Sequence, residues 1–408
     1  MQLKLQQEQP AGPKRAQPYA GLALFNYGFR PFFLGAAVWA IVSLLLWLAS
    51  LAGLIQLADG YGAIAWHAHE MLFGYASAVV AGFLLTAVPN WTGRLPVSGP
   101  RLMLLFLLWC AGRIAFLATG VTGPIPAVAI DSIFLPCLLF TMGREIVAGR
   151  NWRNLKPLVL VGLLAAADIG FHAEVLLTGA PNTASRVGVG ALIGLIILIG
   201  GRIVPSFTHS FLSRTRSPQL PASFSFADKV ALIISAVALL AWITLPASMA
   251  TGILFVLAAM VQALRLWRWK GAYTWREPLV FILHLGYAFV PLGFLLGAIS
   301  ILQPGILAGT AALHAWTVGA VGTMTLAVMT RATRGHTGHD LSASRLTFVI
   351  YATILSAALL RILAGFFPEC YMVLIEIAGA AWIAAFTLFL VEYAPMLLSP
   401  RIERGGTG

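Results

Sequence analysis

Long apolar runs follow one another along almost the whole chain, each of about the 20 residues that a helix needs to cross a bilayer. They lie at 32–57, 65–88, 101–120, 125–143, 155–178, 185–204, 228–248, 250–267, 279–302, 307–330, 344–366 and 371–394, separated by short polar or Gly/Pro breaks. The pattern predicts an all-α, polytopic membrane protein with twelve transmembrane helices. The runs are continuous rather than alternating, which excludes a transmembrane β-barrel. Residues 1–31, with Pro10, Pro13 and Pro18 among glutamines, read as a mobile cytoplasmic tail. Residues 32–394 read as a single twelve-helix transmembrane domain and 395–408 as a cytoplasmic C-terminal tail. The first run is too long for the apolar region of a signal peptide and reads as a retained anchor.

Composition agrees. Of 408 residues, 59% are hydrophobic and 10% charged. A soluble domain carries about 25% charged residues, so a water-facing enzyme is excluded. The formal net charge of +12 is spread over the connections, which argues against nucleic acid as a partner. With both tails placed in the cytoplasm, all Lys and Arg except Arg113, Arg186 and Arg361 fall on the cytoplasmic side. That sorting obeys the positive-inside rule and fixes the expected orientation. Cys110, Cys137 and Cys370 are too few and too dispersed for a disulfide framework.

Four of the eight histidines fall at one depth near the outer surface. His67 and His69 start span 2, His172 lies near the outer end of span 5, and His314 near the outer start of span 10. Imidazole suits haem iron, copper and zinc alike. Two residues apart on a helix, His67 and His69 point about 200° apart, so one face can serve one metal and the other a second, whereas a helix that begins only at His69 still lets both converge. Interhelical hydrogen bonding is the structural alternative. Glu70, Asp131, Asp168, Glu174 and Glu376 share the outer and middle depths, where ionisable groups are expensive. They compete for three roles: orienting a ligand imidazole, relaying protons, and pairing with the intramembrane Arg113 and Arg361. His284 at the start of span 9 and His336 in the next cytoplasmic connection offer a third metal site, on the cytoplasmic side.

A short motif repeats. Val88-Pro89-Asn90-Trp91-Thr92 ends span 2 and Val204-Pro205-Ser206-Phe207-Thr208 ends span 6, with a looser echo at Val328–Thr333 after span 10. Each step is four helices, which makes three groups of four. Haem–copper oxidases share that arrangement and hold a bis-histidine haem between helices 2 and 10. Spans 6 and 7, as bounded above, contain no histidine, so that superfamily's copper ligands are missing.

The chain also resembles the NnrS family. The resemblance rests on Phe29-Arg30-Pro31-Phe32-Phe33, Trp66-His67-Ala68-His69-Glu70-Met71, Leu85–Arg94, Gly200–Thr208, Leu283–Ala288, Leu313-His314-Ala315, Gly322–Ala332 and Gly335-His336-Thr337-Gly338. These run in the family's order from about residue 25 to 340. Members are described as haem- and copper-containing bacterial inner-membrane proteins of nitric oxide metabolism and nitrosative stress. The resemblance therefore implies haem b and copper as cofactors, nitric oxide as ligand, and an electron donor as partner.

Within that frame the expected assignments are His69 and His314 for haem, with His67 as the alternative, and His67 and His172 for the second metal. Glu70 and Glu174 are the proton-path or catalytic candidates, and Arg113 and Arg361 the clamps for haem propionates. Two functions stay open. One is a redox enzyme that binds and reduces nitric oxide. The other is a non-catalytic protector or transporter of copper or a metal–nitrosyl species.

Overall fold

The structure is a computed structural model that describes residues 20–402. Among these residues it is helical, with no strand. Twelve helices are long and apolar enough to cross a membrane: α1 (Phe29–Leu51), α2 (Ala63–Thr92), α3 (Pro100–Leu117), α4 (Pro124–Ala148), α5 (Trp152–Thr178), α6 (Thr183–Arg214), α7 (Phe226–Thr244), α8 (Met249–Arg268), α9 (Pro278–Leu302), α10 (Gly309–Thr337), α11 (Arg345–Leu363) and α12 (Pro368–Leu398). Number and order agree with the expectation, and the chain is a multi-pass membrane protein. Several ends differ. α6 continues past Pro205 and α10 reaches Thr337, so His209 and His336, expected in connections, are helical. Residues 1–19 of the expected N-terminal tail and 403–408 of the C-terminal one lie outside the described residues. The remainder of the first stretch enters α1 at Phe29. There the buried Arg30 donates to the carbonyls of Met396, Leu397 and Ser399 at 3.3, 2.8 and 2.6 Å, tying the first helix to the end of the last.

Consecutive helices pack side by side, and α12 returns to α1 to close the ring. Inside it α2, α6 and α10 touch one another. The apolar windows of α2, α6, α9 and α10 are 83%, 61%, 72% and 67% buried, against 28–44% for the other eight helices. Helices apolar on every side suit either a core or a lipid environment; here the central ones meet protein and the outer ones keep a free face. Three central helices spaced four apart are the arrangement that three groups of four require.

The motif repeat has one local structure in both clear copies. The Thr92 hydroxyl donates to the Val88 carbonyl at 2.9 Å and the Thr208 hydroxyl to the Val204 carbonyl at 2.8 Å. Each thereby braces the turn in which proline supplies no N–H. α2 then stops at Gly93, whose φ of +69° is the left-handed conformation that glycine adopts without strain.

A second regularity was not visible in the sequence. Each central helix contains a wide π-helical turn: Glu70–Ala76 in α2, Ile196–Gly200 in α6 and Ala315–Gly322 in α10. Such turns carry an extra residue and are frequent at functional sites. Carbonyls in or beside them are met by side chains. Trp109 Nε1 donates to Gly74 O at 2.9 Å, Arg265 to Ile197 O at 3.0 Å, and Thr325 Oγ1 to Val321 O at 2.7 Å. In α2 and α10 the wide turn begins on the residue after a histidine, His69 and His314 respectively.

Candidate metal centre

The far face of the bundle carries the connections that follow odd-numbered helices. Below it, α2, α4 and α5 bring His69, Asp131, Asp168 and His172 together. One ligand atom from each lies within 4.8 Å of every other, and all four residues are buried. His69 Nε2 is 3.0 Å from Asp168 Oδ1 and 3.1 Å from Asp131 Oδ2. His172 Nε2 is 3.2 Å from Asp131 Oδ2 and 3.7 Å from Asp168 Oδ1. Asp168 and His172 share a face of α5 because four residues make about one helical turn.

A second ring of contacts fixes these donors. Glu70 Oε1 accepts from His69 Nδ1 at 3.0 Å, which leaves Nε2 to face the cluster. Glu70 Oε2 accepts from Trp39 Nε1 at 2.7 Å and from Arg113 Nη1 at 2.6 Å. The other Arg113 terminal nitrogen pairs with Asp131. Tyr61 Oη lies 2.9 Å from His172 Nδ1. Burial, with the Asp168 and then the Glu70 carboxylate nearby, pushes the Tyr61 phenol far above its ordinary value. It therefore stays neutral and holds the His172 ring through Nδ1, with Nε2 turned toward Asp131. The rings of Phe116 and Phe73 lie 4.9 and 5.4 Å from that of His69, and a further wall is Phe171 at 5.6 Å.

Two glycines make the approach possible. A Cβ on Gly74 would collide with Arg113, Glu70 and Trp39, and one on Gly112 with the Asp131 carboxylate. The wide turn of α2 supplies the first of these gaps.

Charge then decides what the centre can hold. Three buried carboxylates, Glu70, Asp131 and Asp168, face one guanidinium, Arg113. With both imidazoles neutral the excess is two negative charges in an apolar bundle, and a proton on His69, whose two ring nitrogens both face carboxylates, would lower it to one. Isolated buried charges cost several kcal/mol each (roughly, after relaxation), so the cluster needs positive charge. A divalent cation among the four donors would supply it. Two imidazole nitrogens and two carboxylate oxygens suit a divalent first-row ion and disfavour copper(I), which prefers sulfur. Glu70 on His69 is the carboxylate–histidine support common behind metal-bound imidazoles.

The other face of the same turn leads elsewhere. The His67 ring stacks on Trp47, with centroids 4.6 Å apart and planes at 11°. Its Nδ1 is buried and has no hydrogen-bond partner among the described residues. Arg361 is within electrostatic reach of both His67 and His314, and the two histidines are within reach of each other. His314 Nδ1 donates to Thr310 O at 2.7 Å, which leaves Nε2 as an acceptor. One Arg361 terminal nitrogen has no partner, and the other reaches Tyr371 Oη at 3.4 Å.

The opposite faces expected of His67 and His69 are therefore occupied, but with different companions. His69 joins His172, and His67 lies with His314. Glu70 and Arg113 support the centre, Arg113 through acids rather than beside His314. Glu174 is spent on the α6 start, accepting from the backbone N–H groups of Asn182 at 2.6 Å and Ala184 at 3.1 Å. His284 and His336 sit in separate surroundings: His284 Nε2 is 2.7 Å from Thr208 Oγ1, and the His336 ring stacks on Tyr27. Tyr61 and Trp39 were not singled out from the sequence, and Asp131 and Asp168 were weighed only as supporting acids. The four-residue spacing of Asp168 and His172 was the available signal.

These features define a polytopic membrane protein with a buried histidine–aspartate centre. The family model described as NnrS protein matches residues 23–401, and the chain belongs to the NnrS family. No curated protein matches it.

Proposed function

We propose that this protein handles nitric oxide at a metal ion held by His69, Asp131, Asp168 and His172. The observation that carries the reading is the convergence of these four buried donors in a site where three carboxylates share one guanidinium. Membership of the NnrS family supports the link to nitric oxide. A redox-active ion there, copper(II) or iron(II), supplies a binding position for nitric oxide and exchanges electrons with it. The chain's own residues do the rest. Glu70 and Tyr61 orient the rings of His69 and His172, Arg113 holds Glu70 and Asp131 in place, and Phe73, Phe116 and Phe171 keep water out. Copper as the ion is favoured by the family resemblance.

Haem b fits the second constellation. His67 and His314 lie on the two central helices whose wide turns follow a histidine, and both keep a ring nitrogen free of hydrogen bonds among the described residues. The unpartnered Arg361 nitrogen suits a propionate. In this assignment His67 and His314 would hold the haem iron. Membership of the NnrS family supports a bacterial inner-membrane setting, and the Lys and Arg sorting supports both tails being cytoplasmic, so that both constellations lie toward the outer leaflet.

A second reading rests on ligand number. Four protein donors complete a tetrahedral site, the mark of centres that hold an ion rather than react at it. It makes the protein a non-catalytic protector or transporter of copper or a metal–nitrosyl species. Metal analysis and optical spectra of the purified, reduced protein, with nitric oxide added, test both. Consumption over many turnovers supports the enzyme, and stoichiometric capture the protector. Protein that carries no metal and gives no spectral response to nitric oxide overturns both.

A further inference from the structure

The three central helices do not close completely against one another. Between them lies an apolar pocket of about 90 Å³, partly open to the surroundings rather than sealed, lined by residues of Ala76–Phe83 of α2, Leu192–Ile203 of α6 and Val321–Val328 of α10. On each helix the lining positions recur three or four residues apart, so one stripe per helix faces the hollow. The wall is aliphatic and aromatic. Its one polar side chain among the described residues is Thr325. That hydroxyl is already engaged, with Tyr75 Oη at 2.5 Å and the carbonyls of Val321 at 2.7 Å and Gly322 at 2.9 Å.

A site for water needs two to four polar partners, and apolar cavities of this order stay dry and take up apolar atoms or molecules. This hollow offers a water nothing further to bond. It has room for more than one diatomic molecule.

Its upper end points at the metal centre. Ala76, Phe73 and His69 are three and four residues apart on α2. The Phe73 ring stands between, 5.4 Å from the His69 ring and against Gly188 of α6, where a Cβ would fall 2.8 Å from its tip. Gly188 is one turn above Leu192, the first α6 residue of the cavity wall. The buried Phe73 ring thus lies one helical turn from the pocket wall on both α2 and α6 and against the His69 ring.

We propose that this cavity binds small apolar gas molecules and feeds them to the His69 centre past the Phe73 ring. The identity of the gas as nitric oxide rests on the function proposed above; the binding of a gas does not.

Xenon is the probe. Crystals of the full-length protein pressurised with xenon should show it between Val79, Ile199 and Val321. Val79→Phe and, on a different helix, Val321→Phe should each abolish that site. They should also slow nitric oxide association with the reduced protein at least several-fold, at unchanged metal content. Phe73→Ala should extend the xenon density toward His69. Ordered water, an acyl chain or no xenon in the wild-type cavity overturns gas binding. Xenon bound but association rates unchanged in both filled variants overturns the feeding role. If the protein proves to hold no metal, xenon is still expected in the cavity, so failure of the functional reading and failure of this one are read separately.

Discussion

Glu70 turns its carboxylate back onto the imidazole of His69, its neighbour in the chain, with Oε1 3.0 Å from Nδ1. The contact commits one ring nitrogen and presents the other to Asp131, Asp168 and His172. Adjacent residues on a regular helix point about 100° apart, and the wide turn that begins at Glu70 is where this pair closes up.

The first prediction concerns metal content. His69→Ala, His172→Ala, Asp131→Asn and Asp168→Asn should each remove most of the ion from the purified protein, measured by elemental analysis. Glu70→Gln should leave the ion bound but about 10–100-fold more weakly, the usual loss on removing the partner of a ligand imidazole. Because ligands must be deprotonated to bind, affinity should fall as pH is lowered. Full occupancy in all four ligand variants would remove the cluster from consideration.

Arg113 gives a stability prediction. It is the guanidinium that offsets Glu70 and Asp131. Arg113→Met should destabilise the protein by about 3–5 kcal/mol, the typical cost of breaking one side of a buried pair. Thermal unfolding in detergent measures it. Adding Glu70→Gln should restore part of the loss, because one orphaned charge then disappears.

The second constellation separates from the first by spectroscopy. His67→Ala and His314→Ala should each abolish the haem absorbance and leave the non-haem metal in place. His69→Ala should do the reverse. A haem band that survives in both His67→Ala and His314→Ala overturns this assignment.

Glu277, just before α9, carries a pH prediction. Its Oε1 is buried without a partner, and burial raises the carboxyl above the ordinary range, although Arg331 and Arg214 oppose the shift. A carboxyl whose pKa is higher folded than unfolded binds its proton more readily in the folded state. Its contribution to stability is therefore greatest in acid and is lost as pH rises through the folded value. Glu277→Gln should raise the melting temperature at neutral pH, and the gain should shrink as pH falls below the folded pKa and vanish below the ordinary carboxyl value of the unfolded chain. Melting curves over that pH range check it.

The twelve spans were legible because each is a continuous apolar run, and the two clear motif copies marked helices that do prove central. The depth of the histidines was legible too, by counting residues along spans. Partners were not. The 200° between His67 and His69 says that they face apart, but not which of the neighbouring helices each one meets. Glu174 and Asp168 look alike as intramembrane acids. Asp168 shares a face with His172 at four residues, whereas Glu174, two residues beyond it, turns away and caps α6. The wide turns left no sequence mark, since they arise from packing among α2, α6 and α10.

The extra residue in the α2 turn also acts as an angular gear. Delete one residue between Glu70 and Ala76, and the short stretch ahead of it rotates by about 100° relative to the rest of the helix. That single twist swings His69 off Asp168 and His67 off Trp47 together, so one backbone defect sets the aim of both imidazoles.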